Sequence, residues 1–85
     1  MKARIILNAD DYSSMGVEKY FERNFPGAID DFTKAIELGS DDPETYFNRG
    51  LANLMLDQRT EALEDFIKVI ELGYHISRNM LKLCR

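Results

Sequence analysis

Apolar residues recur along this chain at helical spacing, and the spacing comes round twice. Ala28, Phe32, Ala35 and Ile36 stand at i, i+4, i+7 and i+8, which is one stripe of a helix with 3.6 residues per turn. Ala62, Phe66, Val69 and Ile70 repeat that stripe, with Leu63 and Ile67 adding apolar surface beside it. Ahead of the first stripe Tyr12, Met15, Gly16, Lys19 and Tyr20 fall at helical intervals, and ahead of the second Tyr46, Gly50 and Leu54 do the same. Four helices in two pairs follow. The punctuation agrees: Asp42 is placed to accept from free amides with Pro43 at the first helical position, and Gly39 and Gly73 each follow Ile-Glu-Leu, where a helix ends in a left-handed residue. Asn24 and Asp57 are expected to start the second helix of each pair, with Pro26 early enough to be tolerated. In the final ten residues Ile76, Met80, Leu83 and Cys84 share a face with Arg78, Lys82 and Arg85 off it, predicting a fifth helix that caps the stack. Residues 1–8 carry no pattern and are expected to form a loosely docked arm.

Sliding the chain along itself by 34 residues gives ten identities between residues 9–42 and 43–76, at Tyr12, Gly16, Ala28, Asp31, Phe32, Lys34, Ile36, Glu37, Leu38 and Gly39. About two are expected by chance. The expected organisation is an arm at 1–8, one repeat at 9–42, a second at 43–76 and a capping helix at 77–85, all in one domain.

This period and these positions resemble the tetratricopeptide motif, through Tyr12/Tyr46, Gly16/Gly50, Ala28/Ala62, Phe32/Phe66 and Ala35/Val69. The resemblance implies an all-α fold, antiparallel helix-turn-helix repeats stacked as a short right-handed α-solenoid of about five helices. The small residues have a packing reason, since a minimal side chain lets two helix axes approach beside an aromatic filler. Departures from the motif stand at Met15 and Arg49, Lys19 and Asn53, and Ser40 and Tyr74, and are expected to weaken packing. Because such repeats usually need about three stacked units, two suggest self-association or the remainder of a larger protein.

The resemblance further implies a concave groove lined by the first helix of each pair. Its expected binding residues are Val17, Tyr20 and Phe21, then Phe47, Asn48, Leu51, Leu54 and Met55, then Arg78 and Lys82 of the cap; Ser13, Leu81 and Arg85 belong to the same lining. Leu54 and Tyr20 have equal claims to be core. The lining is apolar, and such a patch is usually covered by something. One branch of the family grips a terminal carboxylate there; Asn48, Arg78 and Lys82 match part of that clamp, while Ser13 and Val17 replace its first-repeat members. The function expected is a scaffold binding a peptide or helix of a partner protein, with homodimerisation or membership of a longer chain as the alternative.

At 85 residues the chain buries only about 60% of its unfolded surface. Its 31% charged residues and net charge of −4 give no cationic field for phosphates, arguing against nucleic acid and anionic membranes. The only apolar run near the start, Ile5-Ile6-Leu7, is too short for a signal core or a membrane span. Cys84 stands alone, so a reducing, cytoplasmic setting is expected. His75 is the one histidine and falls in a turn, leaving no nucleophile–base pair; the Asp10-Asp11, Asp30-Asp31 and Asp41-Asp42 pairs read as helix starts or divergent neighbours and not as metal ligands. No enzyme, no cofactor and no metal is expected.

Overall fold

A computed structural model describes residues 6–85. Of the arm expected at 1–8, residues 1–5 lie outside the described residues, and 6–8 have no regular structure, with Ile6 exposed. Five helices follow: α1 (Ala9–Phe21), α2 (Phe25–Glu37), α3 (Pro43–Met55), α4 (Arg59–Glu71) and α5 (Arg78–Lys82). No strand occurs among the described residues.

Local chemistry explains the helix ends. Asn8 and Asp11 form a capping box, each side chain accepting from the other's backbone N–H at 2.9 Å. Asn24 accepts from the Gly27 N–H at 3.0 Å, and Asp42 from the Glu44 N–H at 3.0 Å, with Pro43 first in α3. The expected start at Asp57 is corrected: Gln58 precedes α4 without a side-chain cap, and Asp57 sits at φ 57°, closing the end of α3. All four long helices close with the same pair of backbone bonds. The outer ones run Asn24 N–H to Lys19 O at 2.8 Å, Ser40 to Ala35 at 3.1 Å, Gln58 to Asn53 at 2.9 Å and Tyr74 to Val69 at 3.2 Å. Gly39 and Gly73 supply the left-handed residue in two of these turns; Arg23 and Asp57 supply it in the others.

The short turns set α1 against α2 and α3 against α4, and α2 packs on α3 to stack the pairs. Phe32 and Phe66 are fully buried beside Gly16 and Gly50. A Cβ on either glycine would lie 2.6 Å from the facing ring, so the glycines are what lets each pair close. Phe25, Ala28, Phe32 and Ala52 form one core cluster, and Ala62, Phe66, Val69, Ile76 and Cys84 the other. Burying each phenylalanine contributes about 1.5–3 kcal/mol.

Two sequence expectations change here. The fifth helix is shorter than ten residues, and Leu83 is 59% exposed although Ile76 and Cys84 are buried. The chain tightens after α5, with Leu83 N–H bonding Met80 O and Cys84 N–H bonding Leu81 O, both at 3.1 Å, and that i+3 winding turns Leu83 off the buried face. Ile67 and Ile70 are also exposed, at 44% each.

The departures at Lys19, Arg49 and Asn53 are not simply weakened packing. Asp31 and Asp65, identical by the repeat, are 7% and 3% exposed. Lys19 Nζ lies 2.8 Å from Asp31 Oδ2. Arg49 holds Asp65 through Nε at 3.0 and 3.1 Å and Nη2 at 2.6 Å, reaches Thr33 Oγ1 at 3.2 Å, and is joined by Asn53 Nδ2 at 3.3 Å. Hydrogen bonding to Asp31 raises the Lys19 pKa above its ordinary 10.5, and hydrogen bonding to Asp65 raises that of Arg49. An unpaired buried carboxylate would cost several kcal/mol.

Candidate functional site

Helices α1 and α3 occupy equivalent places in the two pairs and run alongside one another. They are tied where Ser13 Oγ meets Thr45 Oγ1 at 2.9 Å, and Thr45 is 1% exposed. Beyond this tie five of the expected residues, Val17, Tyr20, Phe21, Asn48 and Leu51, converge on one pocket of about 110 Å³. Its floor is the ring of Phe32, a residue that reads from sequence only as core.

The walls are held from behind. Tyr20 packs edge-on against Phe25, ring centroids 5.4 Å apart, and against Phe21 at 5.8 Å. Phe21 itself is 77% exposed at the end of α1, so its ring stands in solvent as one lip. Asn48 is the polar group in an otherwise apolar lining, able to donate and accept through its amide. Pockets for whole small molecules run to about 300–1,000 Å³, so this one suits a single side chain.

Past Val17 and Asn48 the groove continues into a shallower hollow of about 270 Å³, lined also by Asp10, Ser13, Ser14, Asp42, Glu44 and Thr45. Three carboxylates give that end a negative rim. Sequence reading missed it, although Asp10 and Glu44 hold the same place in the repeat, one turn before Ser14 and Asn48.

The other expected residues do not join this pocket. Phe47 is half-buried, its ring centroid 5.6 Å from that of Phe66, and it faces a separate hollow with Pro43, Tyr74, His75 and Ile76. Leu54 packs against the second core cluster. Met55 is 47% exposed at the end of α3 and lines neither part of the groove. Arg78 and Lys82, with Leu81 and Arg85, line a hollow of their own of about 340 Å³ on α5. Asn48 and the Arg78–Lys82 pair therefore line separate hollows, and the Ser13 hydroxyl is engaged by Thr45. Cys84 is buried, and desolvation pushes its thiol pKa up, away from a reactive thiolate.

Among the described residues no helix is long and apolar enough to cross a membrane, and no three His, Cys, Asp or Glu side chains are grouped as metal ligands. Over 69 residues the chain is 35% identical to a tetratricopeptide repeat protein 36 homolog of Nematostella vectensis. The match covers 81% of this chain but 38% of that protein, so the chain spans well under half the length of this curated relative. No family model and no solved structure matches the chain.

Proposed function

We propose, from its paired helices and its likeness to a tetratricopeptide repeat protein 36 homolog, that the chain is a non-catalytic interaction module of tetratricopeptide type whose α1–α3 groove takes one bulky apolar side chain from a peptide or helix of a partner protein. The observation that carries this reading is the pocket between Val17, Tyr20, Phe21, Asn48 and Leu51, formed by both helix pairs together and open to solvent among the described residues. Its size favours a leucine-like or aromatic anchor. Asn48 supplies a hydrogen bond to the guest's backbone, and the Asp10, Asp42 and Glu44 rim favours a basic residue beside the anchor. The same rim repels nucleic acid and anionic lipid. Arg78 and Lys82 stand ready for an acidic flank where a longer guest reaches α5. A reducing, cytoplasmic setting accords with the lone buried thiol.

A displayed peptide library selected on the 85-residue chain tests the proposal. Recovered peptides are expected to share one bulky apolar position, and Phe21→Asp or Val17→Asp should weaken them about ten- to hundredfold, the value of one buried side chain. Phe21 is exposed, so its replacement leaves helicity intact. Peptides that bind both variants as well as the parent chain would remove the groove from consideration.

A further inference from the structure

Pocket and acidic rim lie along one groove at a fixed offset. Val17 and Asn48 border both the pocket of about 110 Å³ and the hollow of about 270 Å³, so the two are adjoining stretches of the space between α1 and α3. On α1 the rim carboxylate of Asp10 stands seven residues before Val17, and on α3 that of Glu44 stands seven before Leu51. The offsets are equal because Asp10 aligns with Glu44 and Val17 with Leu51 across the 34-residue interval. Seven residues of α-helix rise about 10 Å.

The rim is built for a cation. Asp10, Asp42 and Glu44 are all exposed, and among the described residues no Lys, Arg or His lines either stretch of the groove. The N-termini of α1 and α3 together contribute about one positive charge, which three carboxylates outweigh. Capping falls to Asn8 and Asp11 on α1 and to Asp42 on α3, so it does not use the side chains of Asp10 and Glu44. Between the two levels stands Asn48, whose carboxamide both donates and accepts. A helical guest has its backbone groups bonded internally and would leave that amide unmatched, whereas an extended guest presents them free.

Resting on the peptide-binding reading above, we infer that the groove selects an extended segment in which a Lys or Arg lies three residues from the bulky apolar anchor. In a polyproline-like chain each residue advances about 3.1 Å with three residues per turn, so side chains three apart share a side and lie about 9 Å from one another. That separation matches the distance between the level of Asp10 and Glu44 and the level of Val17 and Leu51. The cation meets the rim carboxylates, the anchor fills the pocket over Phe32, and Asn48 pairs with the backbone between them. A flat strand would turn residues three apart to opposite faces, and a helix would need a spacing of seven.

Displayed peptides of about seventeen residues, with a fixed central Phe and every other position random, test the inference when selected on the 85-residue chain. Lys and Arg should be enriched at the third position on one side of the Phe at about 50 mM salt, and the enrichment should fade at about 500 mM. Asp10→Asn with Glu44→Gln should erase that enrichment and weaken a recovered peptide by up to about tenfold, with helicity unchanged because neither side chain caps a helix. Phe21→Asp should weaken every recovered peptide, basic or not. Basic residues enriched at the seventh position, or spread evenly over all positions, would overturn the inference while the loss of binding in Phe21→Asp kept the groove reading intact. Peptides held equally well by Phe21→Asp would bring down both.

Discussion

In the first repeat Asp31 is met by Lys19, whose ammonium reaches it singly from a side chain 35% exposed; in the second, the aligned Asp65 is held by Arg49, 22% exposed and bonded through two nitrogens, with Asn53 beside it. The acid stays in place while the cation moves. Lys19 occupies the position of Asn53, and Arg49 that of Met15, so the balancing charge has shifted by one helical turn along the first helix of the pair. What the repeat preserves here is neutralisation of a buried carboxylate, and a Lys/Arg difference carries with it a difference in geometry. The planar guanidinium satisfies both oxygens and also ties α3 to α2 through Thr33, whereas the ammonium does neither.

The strongest way to break this comparison is to remove each cation in turn. Arg49→Ala should destabilise the chain by about 3–5 kcal/mol, because Asp65 is left charged and enclosed. That is a large share of the stability of a small domain. Lys19→Ala should cost distinctly less, since water already reaches the ammonium. Urea unfolding followed by circular dichroism measures both, and equal losses would show that burial is not what separates the repeats. Next in size, Gly16→Ala and Gly50→Ala should each cost about 1–3 kcal/mol from crowding against Phe32 and Phe66. Improved helix propensity returns up to about 1 kcal/mol. These two losses should match, because both rings lie 2.6 Å from the added carbon, and a mismatch would extend the difference between repeats to packing. The smallest effect is in pH. Lys19 has a folded pKa raised above 10.5, so its contribution is fully present below 10.5 and is lost as pH rises through the folded value, while Arg49 stays charged. In alkaline titration followed by amide exchange, the α1–α2 pair should loosen before α3–α4.

Much of this architecture is legible in one sequence because a 34-residue interval samples each structural position twice. Gly39 and Gly73 announce their turns, and Gly16 with Phe32 announces the helix crossing, since few residues satisfy either geometry. The turns after α1 and α3 are harder to read, because Arg23 and Asp57 adopt positive φ without glycine to mark it. The start of α4 could have been found from the interval itself, for Asn24 aligns with Gln58 and not with Asp57. The Asp31 and Asp65 pairings left a signal in the exchange between Met15/Lys19 and Arg49/Asn53, but it is visible only when two positions are read jointly. In the groove, periodicity gives the face a residue occupies and not its surroundings, so it could not separate Tyr20, which lines the pocket while packing on the first core cluster, from the aligned Leu54, which packs on the second cluster and lines no part of the groove. The end of α5 was beyond reach for a related reason: a change from i+4 to i+3 winding leaves no mark in side-chain type.

The Ser13–Thr45 hydroxyl contact gauges the width of the groove at one end. Thr45 is sealed in, so α1 and α3 splay there only by giving up that bond, while nothing comparable joins Phe21 to Met55 at the far end. The two helices thus behave as a clip hinged at the acidic rim. In the proposed binding mode, bulk in a guest would be accommodated by spreading the aromatic lip, and discrimination would be sharpest beside the hinge.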